Sequence, residues 1–186
     1  MLYIRSMKKY ILPSLVVALI LFMWQFISFA AVNFHAGEQQ YTPKQDTIEK
    51  FINSLNLEEG SYLIPNVDPS TPSDKLEAEW KKTEGKPWMF VKYHKNRKFE
   101  MAMPMFRGFV SDLVAGLLLL VVFGYLGSIG LQKSMIVSLC FGLFSFIYIP
   151  YTNHIWYPAF DIMAYLLDSI VPFAIIGFLN AKWWNK

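Results

Sequence analysis

Apolar and polar stretches alternate along the chain on the scale of a membrane span. Four long apolar segments each approach or exceed the roughly 20 residues that an α-helix needs to cross a bilayer. They cover residues 10–32, 106–127, 134–150 and 157–181. The pattern predicts a membrane protein of the all-α class, a four-helix transmembrane bundle.

The first apolar segment also has features of a cleavable signal peptide. Arg5, Lys8 and Lys9 precede it, and Ser28-Phe29-Ala30 resembles a cleavage site. A signal peptide's apolar region is usually about 7–15 residues, shorter than this segment. We therefore expect a retained membrane anchor.

The polar segment 33–105 predicts a small α+β extracytoplasmic domain inserted between helices 1 and 2. Apolar residues at positions 48, 51, 52 and 55 have the spacing of an amphipathic helix. A strand at 61–65 and a helix opening at Asp74 follow. Residues 86–94 and 99–105 then read as two strands of a hairpin. One such unit, of about 70 residues, is near the lower size limit for independent folding.

The placement of charge predicts the orientation. Outside residues 33–107, the bases lie before the first span, between the second and third, and after the fourth: Arg5, Lys8, Lys9, Lys133, Lys182 and Lys186. The connection at residues 152–156 carries no Lys or Arg. The positive-inside bias thus predicts that both termini are cytoplasmic. Interfacial aromatics at the ends of the fourth span, Trp156, Tyr157, Trp183 and Trp184, fit this arrangement.

Three short motifs resemble a known group of proteins. They are Trp24-x-Phe26-Ile27-Ser28, Gly60-Ser61-Tyr62-x-x-Pro65-Asn66 and Pro150-Tyr151-x-Asn153-x-x-Trp156. The chain is similar, over most of its length, to small uncharacterised bacterial four-span inner-membrane proteins with no established activity. The resemblance implies a multi-pass protein of the bacterial inner membrane, and it transfers no functional residue.

The acids outside the polar segment all lie in apolar spans, where ionisable residues are costly and are functional candidates. Asp161 and Asp168 are seven residues apart, on nearly one helix face, with Tyr165 between them. Asp112 lies in the second span. One hypothesis is a track for protons or a cation. The favoured alternative is that each acid is neutral or hydrogen-bonded and fixes helix register, because the sequence offers no base at mid-depth. The expected partners are Arg107, Ser111, Tyr125, Ser138, Tyr148 and Tyr165.

A methionine-rich stretch raises a metal hypothesis. On a strand, Met101, Met103 and Met105 would point to one face, and the hairpin could bring His94 near them. Thioethers and imidazole suit copper. The alternative, which we favour, is that the methionines have only a packing role and fill an apolar core. We therefore expect no cofactor, with copper as the alternative. Cys140 is the only cysteine, so an intramolecular disulfide is excluded.

The remaining features bound the function. Small residues in the second and third spans, Gly116, Gly124, Gly127, Ser138 and Gly142, would let helices approach closely. No phosphate loop, GxSxG or HExxH motif is present, so we expect no enzyme. The sequence contains no cluster of Lys and Arg residues of the kind that binds nucleic acid. The leading hypothesis is a structural or accessory membrane protein that presents a periplasmic domain to a partner protein or complex, or that forms a homo-oligomer. Copper handling at the periplasmic face and proton- or cation-coupled transport of a small solute are the alternatives.

Overall fold

The structure is a computed structural model that describes residues 2–184, with side chains from Tyr10 onward. The bases Arg5, Lys8, Lys9 and Lys186, used above for orientation, lie outside the described side chains. The chain forms two compact units. One contains residues up to Gln40 and from Glu100 onward, and the other is Tyr41–Phe99.

Long helices make up most of the first unit. Helix α1 (Leu2–Phe26) continues as a π-helical turn, Ile27–Ala31, and a short 3₁₀ turn follows at Ala36–Glu38. The second unit contains α2 (Gln45–Ser54), β1 (Gly60–Ile64), α3 (Leu76–Lys81) and β2 (Met89–Tyr93). The first unit resumes with α4 (Ala102–Leu126), α5 (Leu131–Phe146) with a π-helical turn at Ile147–Tyr151, α6 (Thr152–Trp156), and α7 (Ile162–Leu179) with a π-helical turn at Asn180–Trp184.

Four helical segments among the described residues are long and apolar enough to cross a membrane. They are Tyr10–Ala31, Ala102–Leu126, Leu131–Trp156 and Ile162–Trp184. Helix α1 packs on α4, α5 packs on α7, and α1 also contacts α7. Large apolar side chains meet in the interior: Val17, Leu21, Leu119, Leu120, Phe123 and Ile176.

Small residues permit this close packing, as their spacing predicts. A Cβ added at Gly116 would lie 2.7 Å from the Val17 side chain, and one at Gly142 would collide with the Ser169 carbonyl oxygen. Gly127 has a different role, because it ends α4 with φ of 68° and a Cβ there would meet nothing within 4 Å. Positive φ favours glycine, so Gly127 stops the helix.

Neutral hydrogen bonds join α5 to α7. Ser134 Oγ donates to the Gly177 carbonyl at 2.8 Å, and Ser138 Oγ donates to the Phe173 carbonyl at 2.6 Å. Asn180 Nδ2 donates to Ser134 Oγ at 2.9 Å. All three of these interactions are formed without an ionisable side chain.

The third span was predicted to end at residue 150, but the helix continues beyond it. The chain stays helical through Ile147–Tyr151 and Thr152–Trp156. Pro150 removes one backbone donor, and a π-helical turn is a usual way for a helix to accommodate such a defect. As a result α7 begins at Ile162, later than expected.

The second unit contains a two-stranded antiparallel sheet instead of the predicted hairpin. Strand β2 pairs with β1, with Tyr62 opposite Val91 and Ile64 opposite Met89. Among residues 41–99, all of which the structure describes, no side chain is buried. Along α2, Ile48, Phe51 and Leu55 are about half exposed or more.

The predicted strand through Met101, Met103 and Met105 was also wrong. Residues 99–101 have no regular structure, and α4 begins at Ala102. A proline is tolerated in the first turn of a helix, so Pro104 does not prevent the apolar run from starting there. The three methionines are exposed, and His94 belongs to the other unit. The single-face arrangement on which the copper hypothesis depended is therefore absent.

Candidate functional site: a histidine between two aspartates

A reversal of the chain after α1 carries His35 back toward the helices. The Phe34 amide donates to the Ser28 carbonyl at 2.8 Å, across the π-helical turn. Asn33 makes the reversal with φ of 55°, a conformation that asparagine tolerates better than most residues. His35 follows directly and is only 1% exposed.

The imidazole of His35 lies between the two acids of the last span. Its Nδ1 is 2.7 Å from Asp161 Oδ2, and its Nε2 is 3.0 Å from Asp168 Oδ2. Phe29 stacks on one face of the ring with centroids 3.8 Å apart, and Tyr165 meets it edge-on at 4.8 Å. We call His35, Asp161 and Asp168 the His–Asp cluster.

Helix α1 supplies further donors to Asp168. Trp24 Nε1 donates to Asp168 Oδ1 at 2.9 Å, and Ser28 Oγ donates to the same oxygen at 2.7 Å. Counted at about 1.5 Å per residue from Ile162, Asp168 lies about 9 Å into α7. Both oxygens of this carboxylate are therefore hydrogen-bonded.

Asp161 is different, because one of its oxygens has no partner. The residue immediately precedes α7, where the helix dipole favours negative charge. Its side chain makes no capping hydrogen bond and turns to His35 instead. Asp161 Oδ1 is buried and has no hydrogen-bond partner among the described atoms. Buried polar groups are rarely left in this state.

Contacts with the backbone of Phe160 hold the segment that carries His35. Glu38 Oε1 accepts a hydrogen bond from the Phe160 amide at 2.8 Å. A Cβ added at Gly37 would lie 2.8 Å from the Phe160 carbonyl oxygen, so this close approach requires glycine. Together they anchor residues 36–38 beside the start of α7.

Counting protons gives the charge of the cluster. Each of the two nitrogen–oxygen contacts needs one hydrogen, supplied either by the ring or by a carboxylic acid. Both distributions place two protons in the cluster and leave a net charge of −1. A third proton on Asp161 Oδ1 would make the cluster neutral. No ion pair recorded among the described side chains joins Lys or Arg to these residues.

The third acid has a separate partner. Gln25 Nε2 donates to Asp112 Oδ1 at 2.9 Å, so Asp112 is tied to α1 and not to the His–Asp cluster. Its other oxygen is buried and has no partner among the described atoms. None of the three acids pairs with the hydroxyl or arginine partners expected from sequence, although Tyr165 does contact the ring of His35.

We expected no base at mid-depth, but a histidine contacts both Asp161 and Asp168 near the start of α7. His35 lies within the polar segment 33–105, directly after the first predicted span, and nothing in its immediate neighbours signals that it folds back. The only signal in the sequence was indirect: two acids in an apolar span need hydrogen-bonding partners. Trp24 and Ser28 supply some of these hydrogen bonds, to Asp168. Among the described residues, no group of three or more His, Cys, Asp or Glu side chains is arranged to hold a metal ion.

Comparisons of the chain with protein-family models, with curated proteins and with solved structures give no match.

Proposed function

We propose that the protein is a multi-pass integral membrane protein in which transport of a small solute is coupled to the binding and release of a proton at the His–Asp cluster. Proton-coupled transport was the less favoured alternative above because no base was expected at mid-depth, and His35 now supplies a base beside the two acids. The observation that best supports this proposal is that the buried Asp161 Oδ1 has no hydrogen-bond partner among the described atoms. The proton count above gives the cluster around it a net charge of −1. One atom suffices to receive a proton, whereas a metal ion needs several ligands.

A comparison of two contacts made by the last span favours a proton-binding role of the His–Asp cluster over a purely structural one. Helices α5 and α7 are joined by neutral hydrogen bonds from Ser134, Ser138 and Asn180. The segment after α1 instead meets the start of α7 through three ionisable groups, His35, Asp161 and Asp168. Buried ion pairs contribute little net stability because desolvation offsets their attraction. Helix register alone would therefore not require the His–Asp cluster.

Infrared difference spectroscopy of the protein in lipid tests this proposal. Spectra recorded at two pH values should contain a carboxylic acid C=O band that disappears on lowering the proton concentration. The band should be lost or shifted in Asp161→Asn and in Asp168→Asn, and it should persist in Asp112→Asn. The titratable neighbours that face the cluster are Glu38 and Tyr165, so Glu38→Gln is the second control. An identical band in all four variants would contradict the proposal.

Insertion and orientation are part of the same proposal. We propose a bacterial inner membrane, cytoplasmic termini and an outer position for residues 41–99. A thiol-reactive, membrane-impermeant reagent tests this in intact spheroplasts, with Cys140→Ser as background. Lys95→Cys should be labelled from outside, and Lys133→Cys only after lysis. The reverse labelling pattern would overturn the orientation.

A specific observation favours a second candidate function, the presentation of residues 41–99 to a partner protein. This unit forms helices and a sheet without burying any side chain, and the apolar face of α2 is exposed. Cross-linking in cells followed by purification in mild detergent should recover a stoichiometric partner. Ile48→Ser with Phe51→Ser should abolish recovery, while Lys50→Ser on the polar face should not. Isolation of the wild type as a monodisperse monomer would contradict this candidate.

A further inference from the structure

The surroundings of His35 have the composition of a binding site for an organic cation. Phe29 stacks on the ring at 3.8 Å, Tyr165 contacts its edge, and carboxylate oxygens face both ring nitrogens. Aromatic faces combined with carboxylates form the usual environment for a protonated nitrogen ligand. We call Phe29, Asp161, Tyr165 and Asp168 the cation cage.

His35 occupies this cage from a segment outside the long helices. The cage residues belong to α7, the residue just before it and the π-helical turn that extends α1, whereas His35 lies between that turn and the 3₁₀ turn Ala36–Glu38. The hydrogen bond from the Phe160 amide to the exposed Glu38 is one of the contacts that hold this segment against α7. The backbone of His35 is thus part of a short connecting segment and of no long helix.

An independent feature indicates that the cage accepts more than the ring of His35. Asp161 is 5% exposed, and its Oδ1 atom has no partner among the described atoms. A ligand with one more N–H group than imidazolium, or with a different angle between its donors, would use this acceptor. Guanidinium and amidinium groups have that property, because they present forked N–H donors to carboxylates.

We propose that the cation cage binds a small planar nitrogen cation, of the imidazolium or guanidinium class, in place of the His35 side chain. This rests on the proposed function and names the ligand class that would exchange with the protonated side chain of His35. The ligand brings one positive charge to Asp161 and Asp168, so the site keeps the net charge of −1 that it has with the doubly protonated ring. A bound cation and the protonated His35 side chain would exclude one another.

Imidazole is the probe that matches the displaced ring. In the full-length His35→Ala protein in detergent, imidazole titrated below neutral pH should bind saturably. The double variant His35→Ala with Asp161→Asn should bind about 10- to 100-fold more weakly, as expected from the loss of one charge-assisted hydrogen bond. In the wild type, the tethered ring competes at an effective concentration on the order of millimolar or higher. Imidazole should accordingly bind more weakly than to His35→Ala, and Glu38→Gln should bind it with intermediate affinity.

A second measurement keeps the inference testable if His35→Ala does not fold. Methylguanidinium added to ¹⁵N-histidine-labelled wild type should shift the ring resonances of His35 while those of His154 stay constant. Glu38→Gln should lower the concentration needed. Equal affinity of imidazole for the single and double variants, or an unchanged His35 spectrum in wild type and Glu38→Gln, would overturn the cation cage. The infrared test of proton binding does not depend on these results, so the two proposals can fail separately.

Discussion

Removal of His35 should destabilise the helical unit more than any other single truncation of a polar side chain. His35→Ala deletes the partner of Asp161 and of Asp168, whose side chains are 2% and 18% exposed. Breaking a buried ion pair by removing one partner costs about 3–5 kcal/mol, because the remaining charge is left without compensation. Since two carboxylates lose a contact, we expect a value within that range.

The assay is reversible unfolding in mixed detergent micelles, followed by tryptophan fluorescence at neutral pH. Adding Asp161→Asn to His35→Ala should restore part of the stability, giving an interaction energy of about 1–3 kcal/mol.

His154→Ala is the matched control for this experiment. His154 is partly buried, and its Nδ1 accepts a hydrogen bond from the Ala159 amide at 2.9 Å. Loss of such a bond costs about 0.5–1.5 kcal/mol. If His35→Ala destabilised the protein no more than His154→Ala, the assignment of a buried, charged His–Asp cluster would be wrong.

Three further predictions concern the packing of the helices and the unit Tyr41–Phe99. Gly142→Ala should cost about 1–3 kcal/mol by overpacking the α5–α7 contact, whereas Gly108→Ala, with nothing within 4 Å of the added Cβ, should be nearly neutral in the same unfolding assay. Ser134→Ala should cost about 1–3 kcal/mol, because the Asn180 amide loses its acceptor. Hydrogen bonds from Ser70 hold the pKa of the exposed Asp68 below its ordinary value. Ser70→Ala should raise this pKa in an NMR titration. A folded-state pKa that is depressed contributes stability above the unfolded pKa, and that contribution is lost as the pH falls through the folded value.

The long helices could be predicted from sequence because their signal is local. Each apolar run is long enough to span a membrane, and the four candidate spans found in the structure overlap the four predicted segments. The amphipathic spacing of Ile48, Phe51 and Leu55 likewise indicated α2. These features depend on residues a few positions apart, so a single sequence contains them in full.

The pairing of strands and the cluster around His35 could not be predicted, because both depend on contacts between distant residues. Strand β2 pairs with β1, almost 30 residues earlier, and not with the neighbouring segment that alternates methionine with other residues. The contacts of His35 with Asp161 and Asp168 span 126 and 133 positions. Only a requirement that every acid in an apolar span have a partner would have directed attention to this histidine.

The charge state of His35 in a bilayer tests the central claim most directly. Solid-state NMR of ¹⁵N-labelled histidine, assigned with His94→Ala and His154→Ala, reports both ring nitrogens separately. We predict that both His35 nitrogens sense a shared proton and that their shifts change together with the infrared carboxylic acid band as the pH is varied. The account would be contradicted if the His35 ring stayed neutral, in one fixed tautomer, in the folded protein while the infrared band appeared and disappeared with pH.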